Sequence, residues 1–307
     1  MLSKFDILNE LGKGICVYPL NLDNIKENSI NLCAGEFAWT TISSDVYCDE
    51  SDFDKNKRFS LHQDSTHNKK ISLKQGHSAI VSDSLNNKYI ILFPLATTLI
   101  ETKEVLSVNS YIGGTYHSKV GMVSKGLGHI GTMVGPNFSG DSLIAFHNTS
   151  RNLIVLKVGD SFLSVVFHYL DTPYTHINPT SSGHTDKFSG LGLYVTEEQS
   201  AVLNQDWKKK FEEVCMKMCN SSEYKLLQQQ LREQKYKSLK KYFCKKNVFI
   251  SLIVLVVLVA LYIVARYFDK STGNTIWTDR YFNVGCSGIF IAIISGILKY
   301  FKNNANR

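Results

Sequence analysis

The sequence predicts a mainly β domain followed by a helical stalk and a transmembrane helical hairpin. Three observations carry this. Residues 15–110 alternate short β-branched and aromatic runs with polar breaks, the pattern of half-buried strands. From Thr196 the apolar residues recur at helical spacing instead. Residues 247–265, NVFISLIVLVVLVALYIVA, then run for nineteen positions without a charge, enough to cross about 30 Å of hydrocarbon as a helix. The expected division is 1–195 for the β domain, 196–246 for the stalk and 247–301 for two spans.

The chain begins with a short helix over 3–14, SKFDILNELGKG, ended by glycines. INLCAGEFAWTTI, HSAIVSD and KYIILFP are the clearest strands of the next hundred residues. The polar stretch Cys48–Lys70 between them predicts a long surface excursion. LIAFHN, NLIVLKV and FLSVVFHYL add further strands. TEEQ at 196–199 reads as a capping box, in which Thr196 accepts the third helical amide and a Glu or Gln reaches back. Trp207, Phe211, Val214 and Met218 then share a helical face. NSS at 220–222 breaks it, and Leu227, Leu231 and Leu239 resume it up to Phe243. A solvated, broken stalk is the expectation.

The first span is apolar all round, which a core helix with one polar face is not. The second, FNVGCSGIFIAIISGILKYF (282–301), is interrupted by Asn283, Ser287 and Ser295 but free of charge up to Lys299. Its Gly285, Gly288 and Gly296 would permit close helix packing. Basic residues precede the first span and follow the second at Lys299, Lys302 and Arg307. Such flanks stay inside, so both termini are expected in the cytoplasm, with a multi-pass protein of two spans in the inner membrane.

The formal net charge of +7 is unevenly placed. Asp206–Lys246 holds twelve Lys/Arg against five Asp/Glu, so the rest of the chain is close to neutral. A broad nucleic-acid-binding surface is therefore not expected. Seven cysteines (16, 33, 48, 215, 219, 244 and 286) form no CxxC pair, and free thiols in a reducing cytosol are expected. The nine histidines show no HxH or HExxH spacing, so neither a metal nor another cofactor is expected.

The densest signal lies at 113–148, GGTYHSKVGMVSKGLGHIGTMVGPNFSGDSLIAFHN. Eight glycines punctuate it, and almost no charge separates Lys125 from Asp141. Glycine lets backbone amides approach a ligand closely. HSKVGM (117–122), VGPNFSG (134–140) and SLIAFHN (142–148) come in the order of the substrate-binding segment of the dCTP deaminase and dUTPase superfamily, which they resemble. YPLNLDNIKENSINLCAG (18–35), FPLATTLIETKEVLSV (93–108), NLIVLKVGDSFLSVVFHYLDTP (152–173) and HTDKFSGLG (184–192) are similar to further segments of that family, in its order. The resemblance covers roughly the first 190 residues. It implies a dUTPase/dCTP deaminase-like β-barrel, homotrimers or higher homo-oligomers, and ligand sites between neighbours.

The family's chemistry does not carry over. Met122 stands where the deaminase arginine would be, Ala145 where its glutamate would be, and Gly135 where dUTPases carry an aspartate. Asn31 replaces another aspartate; Ser118 and Pro136 remain. Attack on a base carbon needs a carboxylate to take a proton from water, and neither alanine nor methionine can do so. The resemblance therefore implies a pseudoenzyme that binds a phosphate-bearing nucleotide, cyclic or a nucleoside triphosphate. Ser118, Lys119 and Gly121 are the expected contacts, with charge from His117 or Lys125. Phe188 and Gly190, in KFSG, are expected to close over the base.

A nucleotide domain stripped of its carboxylates and joined to membrane helices looks like the two-span membrane effectors of bacterial anti-phage nucleotide signalling. A sensor that controls membrane disruption is the resulting expectation, with the nucleotide and the lipid bilayer as partners. Two other classes stay open: a membrane-anchored active deaminase or dUTPase, and a scaffold with a vestigial pocket.

Overall fold

The computed structural model describes residues 1–48, 61–63, 65–67, 69–83, 85–129, 131–175, 188, 190–243, 256, 259–260, 262–264, 266–271 and 273. Helix α1 (Lys4–Glu10) opens the chain under a Ser3–Asp6 capping box. Strands β1 (Ile15–Tyr18), β2 (Ile30–Thr40), β3 (Ser44–Cys48) and β4 (Lys69–Leu73) follow. Next come β5 (Ile80–Ser82), β6 (Lys88–Leu92), β7 (Ala96–Thr102), β8 (Val105–Val108) and β9 (Ile112–Ser118). The short helix α2 (Val120–Val123) leads to β10 (Leu127–Gly128), β11 (Met133–Val134), β12 (Ser139–Gly140) and β13 (Leu143–Asn148). Strands β14 (Ile154–Lys157) and β15 (Ser161–Tyr169) complete the β region, before helices α3 (Glu197–Leu203), α4 (Phe211–Asn220) and α5 (Ser222–Phe243).

The protein is mainly β. Seven strands form one sheet in the order β10-β13-β7-β2-β15-β9-β11, beside three smaller sheets, β1-β8-β12, β14-β6-β5 and β3-β4. The strand pairs are antiparallel, and the register slips between Ala34 and Ala38 on β2 and between Ser161 and Leu163 on β15. Slips of this kind bend a strand and increase its twist. Trp39, Phe93, Phe146, Phe162 and Phe167 are fully buried and anchor the core. The predicted strands around INLCAGEFAWT, AIVS and KYIIL are all present. Residues 49–60 of the expected surface excursion lie outside the described residues.

Thr196 caps α3 as expected, accepting from the Gln199 amide while Gln199 reaches back. The stalk expectation is corrected for the residues that follow. Two compact units divide the chain at Gln228, so residues 196–228 belong with the β domain. Val214 and Met218 are fully buried, the Val17 amide donates to Met218 Sδ at 3.2 Å, and Tyr224 Oη donates to the Leu11 carbonyl. The apolar face of α4 thus packs against β1 and β8 rather than water.

The same packing corrects the expectation of free thiols. Cys16 on β1 and Cys215 on α4 come within 5.2 Å, Cα to Cα, and form a disulfide. Cys33 and Cys219 remain as thiols. Burial, with the Glu104 carboxylate beside it, pushes the Cys33 thiol up to about 11.

Among the described residues no helix is long and apolar enough to cross a membrane. The second expected span, 282–301, lies wholly outside the described residues, as does most of the first. Where 247–265 is described, at 256, 259–260 and 262–264, it is helical. Val256, Val259, Ile263 and Val264 are exposed there.

Candidate functional site

The site is set by the way β9 is held and by the turn that follows it. Strand β9 lies between β15 and β11. A Cβ on Gly114 would stand 2.8 Å from the Val166 carbonyl oxygen, so glycine is needed for β15 to lie this close. Strand β9 ends at Ser118, and Lys119 is the N-cap of α2. Gly126, at φ +80°, turns the chain back into β10. Strand β10 pairs with the end of β13, placing Gly128 opposite His147. The return brings His129 against Ser118.

Ser118 Oγ lies 2.7 Å from His129 Nδ1 and also accepts the His129 backbone N–H at 3.1 Å. His129 Nε2 lies 3.2 Å from the Tyr116 carbonyl oxygen. That carbonyl can only accept, so Nε2 carries the proton, and Nδ1 is left to accept from the serine hydroxyl. The ring stacks on buried Phe146, at a 6.5 Å centroid distance and a 17° interplanar angle. Burial holds His129 below the usual imidazole range, and the nearby His117 and His147 add to that. The serine therefore faces a neutral imidazole near neutral pH.

A cavity of about 310 Å³ opens beside this pair, lined by Val123, Gly126, Leu127, Gly128, His129, His147 and Thr149. A Cβ on Gly128, which lines the cavity, would meet Ser118 Oγ at 3.9 Å, so the hydroxyl adjoins the cavity wall. His147 is oriented by Thr97, whose Oγ1 lies 2.8 Å from Nδ1. Ala145 is exposed on the same strand, two residues before His147 and on the same face.

The residues expected to bind a ligand are only partly brought together. Ser118 and Lys119 sit at the end of β9, but Lys119 Nζ donates to Ser161 Oγ at 3.2 Å. His117 is exposed and its Nε2 lies 2.9 Å from Thr115 Oγ1. Gly121 and Lys125 are exposed on α2 and the turn after it. A Cβ on Gly121 would meet nothing within 4 Å, so close approach does not require glycine there. Phe188 is 2% exposed and packs on Trp39 at 5.1 Å, in a cluster with Leu193 and Leu203. Its ring is thus part of the core, and Gly190 beside it is exposed. Sequence reasoning missed His129, Thr97 and Tyr116. Only the dense glycines around 126–128 pointed to the turn that gathers them.

Among the described residues no group of three or more His, Cys, Asp or Glu is arranged to hold a metal ion. A separate polar cluster is buried in the domain. Lys208 Nζ lies 2.6 Å from Asp141 Oδ2, with the two side chains 9% and 4% exposed, and Glu101 hydrogen-bonds Asp141. Burial and the neighbouring Asp141 carboxylate push Glu101 up to about 9, so it is protonated at neutral pH.

No protein-family model matches the chain, and no curated protein matches it. Among solved structures, it is similar to a 2'-deoxycytidine 5'-triphosphate deaminase from Agrobacterium tumefaciens. Identity is 12%, over 55% of this chain and 47% of that one, with a TM-score of 0.36. The chain thus spans about half the length of that deaminase. It is also similar to the dUTPase from phage phi11 of S. aureus, at 16% identity over 29% of this chain and 75% of that one, with a TM-score of 0.25. A dUTPase of Staphylococcus bacteriophage 80alpha with dUpNHpp matches at 16% identity, over 29% and 69%, with a TM-score of 0.25. These likenesses concern the fold alone.

Proposed function

We propose that the chain is a non-catalytic nucleotide sensor whose β domain controls an output at a membrane, as an effector in bacterial anti-phage defence. The observation that carries this reading is Ala145. It stands exposed on β13, where the resembled family carries its glutamate, and none of the residues lining the neighbouring cavity is a carboxylate. Removing a general acid–base group costs roughly 10²–10⁴-fold in rate. A pocket kept without it suits binding better than turnover.

The membrane half of the reading rests on residues 247–265 and 282–301. Where the first of these is described, Val256, Val259, Ile263 and Val264 are 59%, 52%, 61% and 51% exposed. Exposed apolar side chains of this density are costly in water and favourable against lipid. In a homotrimer, the arrangement the resemblance implies, a ligand favouring one packing of the subunits would shift about six membrane helices together.

The test is calorimetric titration of cyclic and linear nucleotides against the wild type, Ser118→Ala and Lys119→Ala. Loss of a charge-assisted hydrogen bond costs about 1.5–3 kcal/mol, so affinity should fall roughly ten- to a hundredfold. Absence of binding by the wild type to every nucleotide would overturn the sensor reading.

A further inference from the structure

The contacts of Ser118 go beyond what a ligand-binding hydroxyl requires. Its Oγ faces an unprotonated imidazole nitrogen at 2.7 Å, and the opposite nitrogen of that ring is anchored on the Tyr116 carbonyl. Nucleophile, base and orienting acceptor thus stand in line, within hydrogen-bond reach of one another. The imidazole lies near-parallel to Phe146, and the His129 amide donates to Oγ and holds the hydroxyl in place. A cavity adjoins the hydroxyl.

We propose that Ser118 is a nucleophile, with His129 as its general base, for acyl transfer from a small carboxylic ester held in the adjoining cavity. This inference is independent of the nucleotide reading, which makes the chain non-catalytic toward nucleotides and says nothing of esters. Deamination and dUTP hydrolysis call for a carboxylate, whereas serine acylation needs none. The volume of about 310 Å³ has room for a small acyl group, with Val123 and Leu127 as apolar lining. Thr97 Oγ1, 2.8 Å from Nδ1, holds the His147 ring at the cavity wall, and in its Nε2–H tautomer that ring is a donor for the ester carbonyl oxygen.

The steps balance. Ser118 Oγ bonds to the ester carbon while its proton passes to His129 Nδ1, and the carbon–alkoxy bond then breaks. The departing alkoxide takes that proton and leaves as the alcohol. Water, deprotonated by His129, attacks the acyl-serine. The acid leaves and Ser118 regains its proton. The net reaction is ester plus water to acid plus alcohol.

The test treats the full-length chain with a fluorescent alkyl fluorophosphonate, in which serine forms the O–P bond, fluoride leaves, and the proton goes to His129. Labelling is followed by peptide mapping and by hydrolysis of p-nitrophenyl acetate. Label is expected on Ser118 and should vanish in Ser118→Ala. His129→Gln should slow both reactions by about 10²–10⁴-fold, with the fold of each variant checked by thermal unfolding. In the wild type the rate should rise as His129 loses its proton, with a midpoint below about 6.5. The groups placed to set that midpoint are Ser118, the Tyr116 carbonyl, and the imidazoles of His117 on β9 and His147 on β13. His117→Gln removes one of these neighbouring charges and should move the midpoint upward. Absence of label on Ser118 in the folded wild type would overturn the proposal. So would equal labelling of wild type and His129→Gln, or, if that variant does not fold, a wild-type rate that shows no rise with pH anywhere below about 6.5.

Discussion

Lys208 Nζ meets Asp141 Oδ2 at 2.6 Å inside the domain, joining the segment just before α4 to the turn that precedes β13. The Lys208 carbonyl accepts from Ser139 Oγ on β12 at 2.8 Å, so backbone and side chain are both tied to the stretch that leads into β13. Replacing both charges of such a buried pair with apolar groups can be harmless, but removing one strands the other. The pair therefore makes the helical segment part of the β domain's interior. It also places Asp141 beside Glu101, which keeps its proton.

Glu101 makes stability depend on pH. Its folded pKa, raised to about 9 by burial and by Asp141, lies above the unfolded value of 4.5. Between those values the folded state holds a proton that the unfolded state has lost. Stability is therefore full below about pH 4.5 as far as this group is concerned, and falls as pH rises through the window towards 9. The slope is at most about 1.4 kcal/mol per pH unit. Urea unfolding of wild type and Glu101→Gln at pH 6, 7 and 8.5 checks this. The glutamine keeps a donor for Asp141 without a charge to lose, so its stability should decline less steeply. Parallel curves for the two proteins would show that Glu101 is not the group responsible.

The Cys16–Cys215 disulfide links residues 199 apart in sequence. Cross-linking so long a loop restricts the unfolded chain and is worth about 2–5 kcal/mol. Dithiothreitol should lower the unfolding midpoint of the wild type to that of Cys215→Ser, and leave the variant unmoved. A wild-type midpoint indifferent to reductant would contradict the assignment.

Much of this architecture is legible in the sequence, and what is not has physical reasons. The β-branched runs of β2 and β6 and the Thr196–Gln199 cap are local signals, each complete within a dozen residues. The placement of α4 is not local. Val214 and Met218 mark an apolar face, but a face reads the same whether it meets another helix or β1. Cys16 and Cys215 carry no mutual signal across the chain. At the candidate site, Ser118 was marked by its neighbours in sequence. Its partner His129 depends on a turn at Gly126 and a two-residue strand, which periodicity does not resolve.

Chemical silence toward nucleotides is directly measurable. Met122 and Gly135 carry no carboxylate, and Ala145 presents only a methyl group on β13. The protein should release neither ammonia from dCTP nor pyrophosphate from dUTP above background. Turnover of about one per second or faster, an ordinary enzymatic rate, would instead show an active deaminase or dUTPase.

The membrane reading makes opposite demands on one side chain. Val256 is 59% exposed on a helical residue. If water surrounds it, Val256→Arg should alter stability by no more than about 0.5 kcal/mol, as most surface substitutions do. If lipid surrounds it, near the middle of a span, the arginine should cost roughly 2.5–3.5 kcal/mol on insertion scales. Membrane fractionation and carbonate extraction of wild type and Val256→Arg expressed in bacteria separate the two. The wild type should stay in the carbonate-resistant pellet, the variant should be partly released, and deletion of residues 247–307 should leave a soluble protein without toxicity. Wild type found in the soluble fraction would remove the membrane from the function, and with it the effector half of the proposal.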